Sequence, residues 1–360
     1  MSLVVPSRNK IGGCICIIIA VIVWVTMSEI IPFLDSEWQH GFFIRFFVNL
    51  FYSQFLIIWY IAKYYFTKMN KNLNKNQVRE TIDYSTNINA NIFGKAILVN
   101  FILILGGYAW YISLSYTEAS INNTIYQSNV AMVYILSVIF MNTKLTFRKS
   151  ISVICSISGV ILISIMNESS KEANKTTSFG IILTIISTTL YAIYQVTFGY
   201  ITKKYFNPNS LKLDTILFTG LLGVSTFLTC WPIFIVFNIT GIETFELPPN
   251  KKDWLAVIIT TLIDQLFQIS LFIGVSLTNP VFMSMGILFA IPLSVLTDIL
   301  FHGLKLTLFD IIGGCLIIFG FILMQLDINS IFTRYKNNTK LLINEQEKHK
   351  YGSVNIVYKN

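Results

Sequence analysis

Residues 11–34 read IGGCICIIIAVIVWVTMSEIIPFL. The run is about 24 residues long, and Glu29 is its only acidic or basic residue. About 20 mainly apolar residues in helical form cross the hydrocarbon core of a bilayer. The run exceeds the core of a secretory signal and lacks a small-residue cleavage pattern, so it reads as an uncleaved membrane span. Outward from it, nine further runs have the same character: 42–66, 94–116, 119–141, 151–166, 179–201, 215–237, 254–277, 280–301 and 306–326. The fifth span, 151–166, is short, and the fourth, 119–141, is polar. The chain therefore reads as an all-α polytopic membrane protein of about ten transmembrane helices.

Composition agrees. The 360 residues are 54% hydrophobic and 12% charged. A soluble domain carries about a quarter of its residues charged, because its surface must stay wet. A mean hydropathy of +0.64 places most of this surface in lipid. The net charge of +8 could suit nucleic acid, but the basic residues stand between apolar runs rather than on one face. Orientation in a membrane accounts for that placement, so membrane lipid is the expected surroundings and nucleic acid is not a partner. With the N-terminus inside, twenty of the 26 Lys and Arg fall in inner segments and five in outer loops, Arg45 being the last. Both termini are thus expected in the cytosol. Three N-x-[ST] sequons, at Asn167, Asn174 and Asn238, fall in the expected outer loops. A Tyr351-Gly-Ser-Val354 sorting-type pattern in the tail leaves endomembrane and plasma-membrane locations both open.

The five cysteines (14, 16, 155, 230 and 315) lie in apolar runs and only three His exist, so no metal or cofactor is expected and the cysteines read as small core residues. No Walker A, G-x-G-x-x-G, H-E-x-x-H or G-x-S-x-G pattern is present, and no enzyme is expected.

The chain repeats. At an offset of 161, without a gap, Thr117 falls on Thr278, Lys144-Leu145-Thr146 on Lys305-Leu306-Thr307, Gly159 on Gly320 and Ile161-Leu162 on Ile322-Leu323. At an offset of 167, Gly13 falls on Gly180 and Trp24 on Tyr191. The unit is five spans. An odd number puts the two copies in opposite orientation, which is a transporter device. The expected organisation is a cytosolic start 1–10, a first five-helix repeat 11–166, an outer loop 167–178, a second repeat 179–326 and a cytosolic tail 327–360.

Polar groups at membrane depth are costly and face a partner or a cavity. Glu29, Arg45, Asp264 and Asp298 stand out among the charges. Glu29 and Arg45 read either as an ion pair across a hairpin or as parts of a substrate site. Asn122, Asn123, Gln127 and Asn129 share a helix face in span four, and Gln265 and Gln268 accompany Asp264 in span eight. Span six offers Tyr191, Tyr194 and Gln195, and span three Tyr108, Trp110 and Tyr111. Amides with aromatic rims suit a polar, ring-bearing small-molecule solute. Hydrogen bonding between helices is the plainer use of the same amides. The excess of acids leans toward a cationic or zwitterionic solute. The expected substrate-binding set is Glu29 and Asp264 for charge, Asn122, Asn123, Gln127 and Gln268 for hydrogen bonds, and Tyr111 and Tyr191 for ring contacts.

Several pieces resemble a known family. They are Trp24-Val25 with Ser28-Glu29, Ser113-Leu114-Ser115-Tyr116-Thr117, Ser156-Ile157-Ser158-Gly159-Val160, Thr240-Gly241-Ile242-Glu243-x-Phe245-Glu246-Leu247-Pro248, and Ile291-Pro292-Leu293-Ser294 with Asp298. In order and spacing the chain resembles the drug/metabolite transporter superfamily, and within it solute carrier family 35, subfamily F, in the branch with thiamine-transporter-like proteins. The resemblance implies ten helices in two inverted halves around a central site with alternating access, carrying a nucleotide sugar, thiamine or another solute. It departs at Phe267-Gln268, where the family places a Ser-Asp pair, and at Asn122, Asn123 and Gln127, where it favours Ser and Thr. The leading expectation is a secondary transporter of a small polar organic solute, thiamine or a related cation. A Golgi or endoplasmic-reticulum nucleotide-sugar carrier and a non-transporting receptor or scaffold are the alternatives.

Overall fold

In lipid, a backbone must satisfy its own hydrogen bonds, and helices do this within one segment. The computed structural model describes residues 7–33, 40–69, 90–117, 122, 125–143, 145–168, 177–208, 210–302 and 308–325, and these hold helices and no strand. Twelve helices are described: α1 (Ser7–Phe33), α2 (Gly41–Phe51), α3 (Gln54–Met69), α4 (Ala90–Tyr116), α5 (Asn129–Met141), α6 (Phe147–Glu168), α7 (Ser178–Tyr205), α8 (Leu211–Thr240), α9 (Lys251–Leu277), α10 (Pro280–Ile287), α11 (Ala290–His302) and α12 (Leu308–Gln325). Helices α2 and α3 follow one another as one apolar rod, Gly41–Tyr65, and α10 and α11 as another, Pro280–Thr297. Six such rods are long and apolar enough to cross a membrane, and Ile11–Met27, Ile125–Met141 and Ile311–Met324 are shorter apolar helices. The chain is an integral, helical membrane protein.

The ends of the helices follow from local chemistry. The Thr177 hydroxyl accepts the Gly180 N–H at the start of α7, and the Asn279 side chain accepts the Phe282 N–H before Pro280 opens α10. Asn142 and Gly241 turn left-handed, at φ 50° and 71°, and end α5 and α8. Many hydroxyls at membrane depth satisfy themselves on their own helix: Thr184, Thr188, Thr219 and Ser225 each donate to the carbonyl four residues back. Outward faces carry Ile18, Ile57, Ile154, Ile182, Trp231, Leu262 and Phe319, as a lipid-facing surface requires.

Packing runs mainly between the front and back of the sequence. Helix α6 lies along α12, α4 along α7, α1 along α9, α5 along α7 and α10, and α2 and α3 along α8. Glycines make the closest approaches. A Cβ on Gly159 would stand 2.5 Å from the Gly313 carbonyl, and one on Gly320 would stand 2.7 Å from the Ser152 carbonyl. Gly13 is pressed against the Thr278 side chain and Gly180 against Thr117. The largest core cluster joins Phe198, Phe218 and Phe272, the Phe198 and Phe272 rings lying 4.1 Å apart between centroids.

The structure alters three expectations. The short fifth span is the 22-residue α6, Phe147–Glu168, extended at both ends. Span two is broken at Tyr52–Ser53. Cys16 and Cys230 are buried and Cys155 partly so, but Cys14 and Cys315 are exposed on outward faces rather than in the core. All five are free thiols, and the described residues contain no cluster able to hold a metal. Asn123, Lys144, Asn174, Lys305, the 70–89 loop and the 326–360 tail lie outside the described residues, as do the side chains of Glu29, Asn167 and Asp298.

Candidate functional site

The site begins with two breaks. Before α5, the helical turn Ile125–Gln127 passes through Ser128 with bonds three residues apart: Ser128 N–H donates to the Ile125 carbonyl at 3.0 Å and Ala131 N–H to the Ser128 carbonyl at 2.9 Å. Between α10 and α11, Phe289 N–H donates to the Gly286 carbonyl and Ile291 N–H to the Leu288 carbonyl, each at 3.1 Å. At the offset of 161, Ser128 falls on Phe289. Both breaks border one buried cavity of about 20 Å³, lined by Trp24, Tyr126, Gln127, Asn129, Tyr194, Gln195, Phe267, Ser284 and Leu288.

The walls are aromatic. The Trp24 and Tyr126 rings stack with centroids 6.1 Å apart, Trp24 meets Phe267 at 5.2 Å, and Trp110 leans on Tyr126 at 6.4 Å. Tyr191 stands edge-on to both Tyr126 and Tyr194, at 5.2 and 5.1 Å. Amides supply the polar side. Gln195 accepts from Ser284 Oγ at 2.9 Å and from Asn129 Nδ2 at 3.5 Å. The Asn129 Oδ1 and Trp110 Nε1 atoms are buried with no hydrogen-bond partner among the described residues. Buried polar atoms in that state are uncommon and call for a local explanation. Gln127 is 9% exposed, and it also lines a second, apolar cavity of about 390 Å³ with Met132, Ile157, Ile161 and Ile185.

Charge sits beside this box. Arg45 on α2 faces Asp264 on α9, Nη1 to Oδ1 at 3.5 Å, with side chains 12% and 13% exposed. Tyr52 donates its hydroxyl to Asp264 Oδ2 at 2.6 Å, and Arg45 Nη2 reaches the Tyr191 hydroxyl at 3.5 Å. Gln54 on α3 donates to Gln265, the residue next to Asp264. Among the described residues Arg45 is paired with Asp264, and that pair is close to neutral.

The sequence-derived set divides. Tyr191, Gln127, Asp264 and Gln268 come together, Gln268 lying against the Tyr194 hydroxyl. Tyr111 lies apart, its ring packed on Gly41 at the start of α2. Asn122 is fully buried and clamps helices: its Nδ2 donates to Ser113 Oγ at 2.6 Å and Thr184 Oγ1 at 3.0 Å. Tyr108 packs on Phe42 and Phe237 instead of rimming the cavity. Tyr126 and Ser284 line this cavity and Tyr52 holds Asp264 beside it, and none of the three stood out in the sequence, whereas Phe267 did as a departure from the family pattern. Tyr126 had one signal, its place beside Gln127 in a polar stretch of an apolar run.

Comparison with known proteins follows this geometry. No protein-family model matches the chain. Solute carrier family 35 member F5 from Macaca fascicularis is 29% identical over 230 residues, 63% of this chain and 51% of that protein. Thiamine-repressible mitochondrial transport protein THI74 from Saccharomyces cerevisiae is 28% identical over 215 residues, 59% of this chain and 57% of its own. The human solute carrier family 35 member F3 is 25% identical over 276 residues, 73% and 60%. Over about 60% of its length the chain is similar to transporters of solute carrier family 35, subfamily F. It spans about half the length of the curated relatives it matches. The fold also has a precedent: a crystal structure aligns with TM-score 0.57 at 11% identity, covering 87% of this chain and 96% of that one. At that identity the likeness concerns the fold alone. The chain thus combines a helical membrane fold with an aromatic, amide-lined cavity.

Proposed function

We propose that this subfamily F-like chain is a secondary transporter of a small, polar, ring-bearing organic solute, working by alternating access between two inverted five-span halves with both termini cytosolic. The observation that carries the reading is the central cavity at two matched helix breaks. Interrupted helices at corresponding places in two repeats mark transporter binding sites, because freed backbone and side-chain polar groups there face the solute.

Reciprocal contacts support the inverted repeat. Under the offsets of 161 and 167, the Gly13 contact with Thr278 exchanges with that of Gly180 with Thr117. The Gly159 contact with Gly313 likewise exchanges with that of Gly320 with Ser152.

The cavity is far below the ~300 Å³ of a small-molecule pocket, so this conformation is closed around the site. A solute enters when the halves part. Stacked Trp24 and Tyr126 suit a planar ring or an organic cation, which aromatic faces attract. Gln127, Asn129, Gln195 and Gln268 suit its polar edge. Asp264 is already met by Arg45, so a cationic solute would compete with Arg45 for it, and Glu29 is the second candidate for charge. Thiamine or a related cation fits these demands. A dianionic nucleotide sugar would meet Asp264 beside a single, already paired arginine.

A thermal-shift series on the purified protein tests the reading, since a ligand of the folded state raises the melting temperature by mass action. Thiamine should raise it by several degrees at concentrations well above Kd, and Trp24→Ala should abolish the shift while the protein stays monodisperse. A shift with nucleotide sugars alone would overturn the cation assignment. Stabilisation by none of thiamine, nucleotide sugars, nucleotides, amino acids or polyamines would remove the support for a solute site of this class.

A further inference from the structure

The four N–H groups at a helix start have no partner within the helix, and a nearby residue normally takes one or two of them. At the start of α2 the residue in the capping position, His40, makes no side-chain cap bond. The carboxylate of Glu243, some 200 residues further on, does the work instead. Its Oε1 and Oε2 accept the Phe42 N–H at 3.1 and 3.0 Å, and Oε1 also accepts the Phe43 N–H at 3.1 Å. A carboxylate at a helix N-terminus gains both charge-assisted hydrogen bonds and the attraction of the helix dipole.

The connector that carries Glu243 is itself braced. Gly241 ends α8 in the left-handed region, at φ 71°. Asn238 Oδ1 accepts the Phe245 N–H at 3.3 Å, and the Phe245 ring packs on Phe43 and Phe234 at 6.0 and 5.0 Å. On the opposite side Gly41 is wedged against the Tyr111 ring. The start of α2 is held between these two.

What α2 carries gives this clamp its consequence. The helix is eleven residues long and is interrupted at Tyr52–Ser53. Arg45 stands one turn after Phe42, and Tyr52 closes the far end, and these two residues hold Asp264. Short helices owe their place to outside contacts more than to their own stability. The same connector leads directly into α9, the helix bearing Asp264. We infer that Glu243 is a positioning residue: by capping α2 from the α8–α9 connector, it sets Arg45 and Tyr52 opposite Asp264.

Hydrogen exchange of the full chain in lipid nanodiscs tests this with no transported solute, so its outcome is separate from that of the transport reading. Glu243→Ala should speed exchange of the amides from Phe42 to Tyr52 by about tenfold, the scale of a lost cap. Glu243→Gln keeps one acceptor oxygen at the same reach and should restore most of the protection. Phe245→Ala leaves the carboxylate but loosens its seat, and should give a smaller acceleration of the same amides. If Glu243 acts through the ion pair, Glu243→Ala and Asp264→Asn together should change exchange at residues 44–52 by clearly less than the product of their separate effects. Faster exchange confined to residues 241–248, multiplicative effects of the two substitutions, or no response of α2 to either Glu243→Gln or Phe245→Ala would each overturn the inference.

Discussion

At the residue scale, the Arg45–Asp264 pair dominates the energetics of the centre. Two charges that are almost fully buried are retained only with partners, and removing one leaves the other uncompensated. Asp264→Asn is therefore expected to destabilise the protein by about 3 kcal/mol, seen as a lower melting temperature in detergent. Adding Arg45→Gln should recover at least half of that loss. A double variant no more stable than Asp264→Asn alone would show that the pair is not the source. Legibility follows the same logic. Asp264, Gln127 and Gln268 were readable because a polar group in an apolar run needs a reason to be there. Tyr126 was not, because an aromatic in such a run reads equally well as lipid-facing or core. Asn122 and Tyr111 had the right chemistry but other work, since sequence spacing does not tell whether an amide faces a cavity or the next helix. The pairing of Arg45 with Asp264 links residues more than 200 apart, and no local pattern encodes it.

At the scale of the elements, glycine contacts set how closely rods approach. Without a hydrophobic driving force between helices in lipid, close packing over small residues carries much of the association. Gly159→Ala would place a methyl 2.5 Å from the Gly313 carbonyl, so α6 and α12 must separate. An overpacking cost of about 1–3 kcal/mol is expected, visible as reduced thermal stability. Gly94→Ala, where a Cβ meets nothing within 4 Å, is the control and should leave stability near that of the parent. The existence of most rods was plain from apolar runs of spanning length. Their breaks were not. The break at Leu288–Phe289 has a local cause in Pro292, which has no N–H to give the Leu288 carbonyl four residues back, whereas Ser128 has no Pro in the turn that follows and leaves no such signature. Tyr52–Ser53 is similar: Gly223 of α8 packs against the backbone of Ser53 there.

At the scale of the whole molecule, the proposed repeat rests on a few identities at constant offset. Gly13 and Gly180, Thr117 and Thr278, and Gly159 and Gly320 are positions where the rods come into close contact. Other positions at the same offset differ, as at Asn122, which hydrogen-bonds Ser113, and Met283, which packs on Gly274. The helix partnerships then have a consequence for assembly. The most extensive pairings join α6 to α12, α4 to α7 and α1 to α9, and each crosses from the first half of the sequence to the second. Each half thus exposes to lipid, when alone, the grooves that its counterpart fills. Two fragments divided within residues 169–176 should accumulate poorly when expressed singly and recover together as a stable, co-purifying pair. Normal accumulation of either fragment by itself would mean that it folds independently. Under the proposed repeat, such a gene encodes the equivalent of a fused dimer, and neither half can be lost or borrowed without the other.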